Sequence, residues 1–409
     1  MAVDAVRESA RAGRVVVWEE SARDGAQAKT LMSADFRVRL AREQGRIFGA
    51  DGPRHVVFAA GFPAVCAEEF EAVRQVAVEA EGAVSVAAVC RGTTEDVHQA
   101  VASVRGSAQA RVMVIVPASE AMAAVMTHRT AREALERGVE LVKEARGLDD
   151  RVAVDMCLAD ASRADHALMA AYAGAVTEAG AGTVILADSV GHQTPEQTCA
   201  LFTQVAAGAG QNVVLASHAH NDLGLGLANT LQALRAGVRV VSSSWLGMAE
   251  RSGLVATEQL LFLLAHRTAD ILGEGSEPWW STPELTRLPG IARMVSSETG
   301  VPLTVTTPVV GTGVGSISTG TPFVHPALFQ PYDPQALLGI EARVVLTHLA
   351  SARVVTAVAA RLGHTLTREQ AQAAMGWVKR QAYRSGRAVV DDQHFAGYLD
   401  GLCDTAGGR

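Results

Sequence analysis

Two histidines, His218 and His220, stand two residues apart in the segment SHAHND. The residues before them, NVVLAS, form an apolar run that predicts a buried β-strand. Because side chains alternate across a strand, both imidazoles are expected on the same face. Two such imidazoles can supply two ligands of a divalent metal ion. An H-x-H pair by itself is equally compatible with exposed or hydrogen-bonded loop histidines.

A carboxylate closes another predicted strand. The run VVVWEE is followed by SARDGAQ, which contains Asp24. Asp24, His218 and His220 together would give three protein ligands and leave coordination positions open for water and substrate. This donor set accepts Mg, Mn, Zn or Co, so the sequence predicts a divalent metal ion without identifying it.

Eight short apolar runs alternate with segments of helical periodicity such as 130–146 and 166–181. The predicted strands cover residues 15–20, 55–61, 84–90, 111–116, 151–156, 183–189, 212–218 and 239–247. Near-continuous hydrophobic strands separated by helices predict a parallel sheet covered by helices, and eight such units in about 260 residues predict a (β/α)8 TIM barrel. A doubly wound open sheet is the alternative, weakened by the lack of a G-x-G-x-x-G segment after a first strand. In a barrel the metal ligands would share the C-terminal ends of the strands, where active sites lie.

The pattern changes near residue 274, where a connector rich in Gly, Pro and Trp begins. We therefore predict a catalytic barrel over 1–273, a linker and lid over 274–334, and a small, mainly helical C-terminal subdomain over 335–409. The Gly-, Thr- and Ser-rich stretch 309–322 is expected to form a mobile lid loop.

Composition narrows the class of protein. The chain has 409 residues, is 48% hydrophobic and carries a net charge of −7. The absence of a basic stripe argues against a nucleic-acid partner. The N-terminal segment lacks an apolar signal region and no apolar run is long enough to span a bilayer, so we expect no membrane partner and a cytoplasmic location.

Four stretches, RDGAQ, ADSVGHQTP, SHAHNDLGLGLANTLQALRAG and LGMAERSG, resemble the signature stretches of the DRE-TIM metallolyase superfamily. This superfamily includes isopropylmalate synthase, homocitrate synthase and 3-hydroxy-3-methylglutaryl-CoA lyase. The later segment FVHPALFQPYDPQALLG is similar to the linker and subdomain of the synthases. The resemblance, closest to homocitrate synthase, implies condensation of acetyl-CoA, as acyl-CoA co-substrate, with a 2-oxo acid. It also implies a homodimer with exchanged lids.

The same resemblance implies roles for individual residues. The 2-oxo acid would chelate the metal, and Arg23 would stabilise negative charge on its carbonyl oxygen. His325, from the neighbouring subunit, would be the base for the acetyl-CoA methyl group, with Tyr332 assisting proton transfer. The alternatives are a rim salt bridge for Arg23 and an ordinary loop histidine for His325.

Substrate binding is assigned by the resemblance to Arg91, Ser189 and Gln27. Arg91 and Ser189 would meet the substrate carboxylate, although a buried structural ion pair is equally compatible with Arg91. Glu250 and Arg251 are expected to support the rim.

Three positions depart from the family pattern. Leu254 replaces an asparagine that can complete the metal shell, while Ala59 and Ala159 stand where acidic residues are common. Fewer rim carboxylates favour an anionic 2-oxo acid, such as oxaloacetate, 2-oxoglutarate or a phosphono- or phosphinopyruvate. The rival interpretations are a lyase of the hydroxymethylglutaryl-CoA type and a non-catalytic relative.

Overall fold

A computed structural model describes residues 4–28 and 30–404 of the chain. The chain divides into two compact units, a barrel unit of residues 1–302 and a C-terminal unit of residues 303–409. The division into barrel, lid and helical subdomain at residues 273 and 334 stays a prediction.

Eight parallel strands close into a barrel in sequential order, with β8 pairing back to β1. The strands are β1 (Val16–Glu19), β2 (Val56–Gly61), β3 (Ser85–Arg91), β4 (Ala110–Pro117), β5 (Ala153–Ala159), β6 (Ala181–Asp188), β7 (Leu215–Ala219) and β8 (Val240–Ser243). The predicted (β/α)8 barrel is confirmed, and each strand overlaps the apolar run that predicted it.

The barrel unit has thirteen described α-helices. They are α1 (Ala5–Arg11), α2 (Ala34–Arg46), α3 (Gly52–His55), α4 (Ala67–Glu79), α5 (Thr94–Val104), α6 (Glu120–Thr127), α7 (Ala131–Leu148), α8 (His166–Glu178), α9 (Pro195–Ala209), α10 (Gly226–Arg235), α11 (Thr257–His266), α12 (Thr268–Leu272) and α13 (Leu288–Thr299). Side-chain caps begin many of them: Thr130 and Thr194 form capping boxes at α7 and α9.

Alternate residues of each strand fill the barrel interior, as Val16 and Trp18 do on β1. Helix α1 covers the N-terminal end and adds Val6 to this core. Arg111 lies at that end, almost fully buried, and its guanidinium donates two hydrogen bonds to Asp155 at 2.9 and 2.7 Å. This buried ion pair stabilises the N-terminal end, and active sites of such barrels lie at the opposite end.

The C-terminal unit is mainly helical. Its elements are β9 (Ser316–Ile317), α14 (Gly320–Val324), α15 (Pro334–Leu338), β10 (Arg343–Val344), β11 (Leu346–Thr347), α16 (Ala352–Arg361), α17 (Arg368–Ser385), β12 (Val389–Val390) and α18 (Asp392–Asp404). Its core joins Val354 and Val358 of α16 to Phe395 of α18. Part of the stretch predicted as a lid loop is ordered by pairing, because β9 runs parallel to β10.

None of the described helices combines the length and the apolar character needed to cross a lipid bilayer.

Candidate metal centre

Asp24, His218 and His220 converge at the C-terminal end of the barrel. His218 lies in β7 with His220 just beyond it, and Asp24 lies in the loop after β1. The Oδ2 atom of Asp24 is 3.7 Å from Nε2 of His218 and 3.9 Å from Nε2 of His220, and the two Nε2 atoms are 3.4 Å apart. All three side chains are buried, and the ends of β1 and β7, which flank β8 in the barrel, bring the sequence-predicted ligand set together.

The spacing of these three atoms suits a metal ion. Ligands held about 2.1 Å from an octahedral ion lie roughly 3.0 Å from one another. The three atoms therefore need to move inward by less than an ångström, roughly, to bind one ion. One carboxylate and two imidazoles also match the donor set of a divalent transition metal or magnesium.

The charge states agree with this donor chemistry. Burial and the neighbouring His220 hold the pKa of His218 well below its usual range, so its imidazole is neutral and keeps a free lone pair. Burial acts to raise the pKa of Asp24, but the Arg23 guanidinium and the Glu250 backbone N–H oppose it, and that pKa lies below its ordinary value. A carboxylate beside two neutral imidazoles is the form that binds a cation. The residues present therefore fit a divalent metal ion.

Two donors fix the Asp24 carboxylate. The Arg23 guanidinium donates to Oδ2 at 2.6 Å, and the backbone N–H of Glu250 donates to Oδ1 at 3.1 Å. The Arg23 side chain is only 10% exposed, so its charge is weakly screened by solvent. Glu250 thus acts on the centre through its backbone, as the predicted rim support. The Arg251 side chain pairs with Asp222 at 2.9 Å.

The loop after β8, which carries Glu250, is held in strained backbone geometry. Leu246 and Arg251 have φ values of 58° and 59°, in the left-handed region that disfavours bulky side chains. The Leu246 backbone N–H donates to the buried carboxyl of Glu258 at 3.0 Å, and the Trp245 N–H donates to Ser21 Oγ at 2.8 Å. These anchors fix the loop that orients Asp24.

Leu254 lies directly beside His220. It forms an isolated antiparallel bridge with His220, and it is 1% exposed. Bridge partners project to the same face of the sheet, so an apolar side chain occupies the position beside the His220 imidazole. Ala59 lies inside the barrel and Ala159 ends β5, and both are buried.

The three residues predicted to bind substrate lie around the same rim. Arg91 ends β3 with its side chain 64% exposed and paired with Asp96 through two hydrogen bonds of 2.7 and 3.0 Å. The Ser189 hydroxyl accepts the Asp160 backbone N–H at 2.9 Å. Gln27 is exposed in the 3-10 turn Gly25–Ala28. The Arg91 side chain therefore forms an exposed ion pair. The sequence had offered a buried structural ion pair as the alternative to substrate binding.

His325 and Tyr332 belong to the C-terminal unit, whereas the metal triad belongs to the barrel unit. His325 is exposed and follows α14. Tyr332 is half-buried ahead of α15, and burial raises its pKa. Their predicted catalytic roles therefore require residues of a C-terminal unit to reach a barrel, and these roles stay predictions.

Sequence reasoning missed Glu20. Its side chain is fully buried at the end of β1, with Oε1 3.8 Å from Nδ1 of His218 and Oε2 3.7 Å from Arg23. Burial raises the pKa of Glu20 to about 7, although the Arg23 charge opposes this. Strand alternation supplied a usable signal, because Trp18 faces the interior and Glu20 follows two residues later.

Comparison with known proteins places the barrel among enzymes. A family model described as HMGL-like matches residues 14–295. A 2-isopropylmalate synthase from Neisseria gonorrhoeae is 30% identical over 316 residues, covering 76% of this chain and 50% of the relative. One from Chromobacterium violaceum is 27% identical over 389 residues, covering 93% of this chain and 73% of the relative. The chain spans about half the length of the first of these.

Solved structures show the same fold. A 3-hydroxy-3-methylglutaryl-CoA lyase from Brucella melitensis superposes with a TM-score of 0.56 at 20% identity, over 70% of this chain and 99% of the lyase. The lyase from Pseudomonas aeruginosa gives a TM-score of 0.56 at 22% identity, over 70% of this chain and 93% of the lyase.

Proposed function

The chain belongs to the HMGL-like family, and on that premise we propose that it condenses acetyl-CoA with a 2-oxo acid in a reaction that depends on a divalent metal ion. The product is a 2-substituted malate-type acid, released together with CoA. The observation that carries the proposal is the buried triad of Asp24, His218 and His220 at the C-terminal end of the barrel. The similarity to 2-isopropylmalate synthases supports the same chemistry.

Asp24, His218 and His220 would hold the metal. When bound, the metal supplies Lewis-acid polarisation of the 2-oxo carbonyl. Arg23 reaches the same end of the barrel from β1 and is already held by Asp24 at 2.6 Å. Its weakly screened charge is suited to stabilise the oxygen that becomes an alkoxide as the bond forms.

The acyl donor requires a base. Removal of a proton from the acetyl-CoA methyl group gives a carbon nucleophile, which forms the new bond to the 2-oxo carbon. The carbonyl oxygen takes up a proton, and water cleaves the thioester to release CoA. We assign the base to His325 and assistance in proton transfer to Tyr332, in a homodimer whose exchanged lids bring these residues to the partner's barrel.

The substrate pocket favours an anionic 2-oxo acid. Ala59 and Ala159 contribute no charge at the buried interior and rim positions that they occupy. A second carboxylate or a phosphonate on the substrate therefore meets less repulsion than it would beside acidic residues. Arg91, Ser189 and Gln27 supply polar groups around the same rim for the substrate carboxylate.

The test is thiol release by the full chain with acetyl-CoA and a panel of acids: pyruvate, 2-oxoisovalerate, oxaloacetate, 2-oxoglutarate and phosphonopyruvate. We expect EDTA to abolish release, added metal to restore it, and an anionic acid to give the highest kcat/KM. A clear preference for 2-oxoisovalerate would refute the anionic substrate. Cleavage of a hydroxyacyl-CoA without any 2-oxo acid would establish the lyase chemistry instead, and metal binding without either reaction would establish a non-catalytic relative.

A further inference from the structure

Glu20 is a buried carboxyl without an evident structural task. Its side chain has no solvent exposure, and neither carboxyl oxygen has a hydrogen-bond partner among the residues that the structure describes. Burying a carboxyl in this state is costly, and most buried polar groups in native proteins are paired. Such an unsatisfied group next to a binding centre points to a function that requires the centre to be occupied.

The two ring nitrogens of His218 face different groups. Nε2 faces Asp24 and His220 at 3.7 and 3.4 Å, whereas Nδ1 faces the Oε1 atom of Glu20 at 3.8 Å. A metal-binding histidine commonly donates its second ring N–H to a carboxylate, which fixes the tautomer and orients the ring. A rotation of the Glu20 carboxyl would bring this pair to hydrogen-bond distance.

We propose that Glu20 is a positioning residue that accepts the Nδ1–H of His218 and thereby presents Nε2 to the metal. This inference rests on the proposed metal site. The neighbouring Arg23, 3.7 Å from Glu20, supplies a positive charge that favours the ionised carboxylate. Glu19, the preceding residue, provides a matched comparison because it is equally buried but is bonded to Ser21.

The experiment titrates Mn2+ into the metal-free full chain and measures free Mn2+ by electron paramagnetic resonance. We expect Glu20→Ala to weaken Mn2+ binding by about 10- to 100-fold, the usual effect of losing such a partner. Glu20→Gln retains an acceptor oxygen and should recover most of the affinity. Glu19→Gln should bind Mn2+ as the native chain does. Thermal unfolding of the metal-free variants checks folding, and each variant should unfold in a single cooperative transition.

The His218→Ala variant distinguishes a failure of the proposed metal site from a failure of the proposed role of Glu20. If it binds Mn2+ as tightly as the native chain, the metal site itself is wrong. If it loses binding while Glu20→Ala keeps native affinity, the metal site stands and the role of Glu20 is overturned. Nitrogen chemical shifts of 15N-labelled histidine give an independent measurement, because the Nδ1–H tautomer of His218 should predominate in the native chain and lose that preference in Glu20→Ala.

Discussion

At the scale of single residues, the charge of Asp24 is fixed by its neighbours before any ligand arrives. Arg23 and the Glu250 N–H hold its two oxygens, while the buried histidines stay neutral. The candidate centre therefore combines one anionic donor with two neutral donors.

Asp24→Asn should abolish both Mn2+ binding and thiol release, because the amide replaces the only anionic ligand of the triad and leaves Arg23 without its closest partner. Isothermal titration with Mn2+ and the thiol assay measure the two effects. Asp150→Asn, at the opposite end of the barrel, is the control and should leave both unchanged. Native-like Mn2+ affinity in Asp24→Asn would contradict the assignment.

Glu258 makes barrel stability depend on pH. Burial raises its pKa to about 7 from an ordinary value of 4.5, although backbone N–H donors oppose the shift. The pKa of this carboxyl is higher in the folded chain than in the unfolded chain. Its contribution to stability is therefore complete below pH 4.5 and is lost as the pH rises toward 7. The loss is roughly 3 kcal/mol in the free energy of unfolding.

Glu258→Gln should therefore be more stable than the native chain at pH 8 and similar to it at pH 5. Urea unfolding followed by tryptophan fluorescence measures this, since four of the five tryptophans lie in residues 1–302. Glu298→Gln, on an exposed position of α13, is the control. An equal pH dependence in Glu258→Gln and the native chain would disprove the assignment.

At the scale of elements, the loop after β8 links the barrel wall to the metal centre. It supplies the Glu250 N–H to Asp24 and places Leu254 beside His220. Gly253 allows this course, because it has a φ of +92° and an added Cβ would lie only 2.0 Å from the Gly247 carbonyl oxygen. The clashing atom is a backbone oxygen, so no side-chain rotation can relieve the contact.

Gly253→Ala should displace the loop and weaken Mn2+ binding by about tenfold or more, the effect of losing one hydrogen bond to a charged group. Gly273→Ala has a similar φ of +96° with open space around it, so it controls for backbone strain alone and should bind Mn2+ normally. Equal affinities in the two variants would show that the loop does not position Asp24.

At the scale of the whole molecule, the metal triad and the proposed base belong to different compact units. Exchange of lids between two copies would unite Asp24 of one chain with His325 of the other. The proposal therefore makes a stoichiometric prediction about mixed dimers.

Asp24→Asn and His325→Ala should each be inactive alone. When the two variants are co-expressed, about half of the dimers are mixed, and one of the two sites in each mixed dimer is intact. The thiol assay should then recover about a quarter of native activity. Activity from neither the single variants nor the mixture would place both residues in the same chain's site, while an active His325→Ala homodimer would remove His325 from the mechanism.

The sequence by itself determined the barrel, and it predicted the three side chains that the structure brings together as a candidate metal site. Eight apolar runs separated by amphipathic segments can bury their strands only in a helix-covered parallel sheet, and strand alternation places His218 and His220 on one face. Asp24 could be added because the C-terminal ends of barrel strands meet at one rim.

Only the tertiary structure decided which charged and apolar groups surround these three side chains. Glu258 looks like an ordinary acidic residue along the chain, and only the fold buries it where it accepts the Leu246 N–H. Strand alternation could place Glu20 toward the interior, but only closure of the barrel brings it to 3.8 Å from His218. The exposed ion pair of Arg91 with Asp96 was also not predicted. The position in a strand fixes the Cα of Arg91, but the partner that its guanidinium contacts fixes the direction of the side chain. Local pattern predicts the positions of backbone elements, whereas burial depends on contacts between residues far apart in the sequence, as between Glu20 and His218.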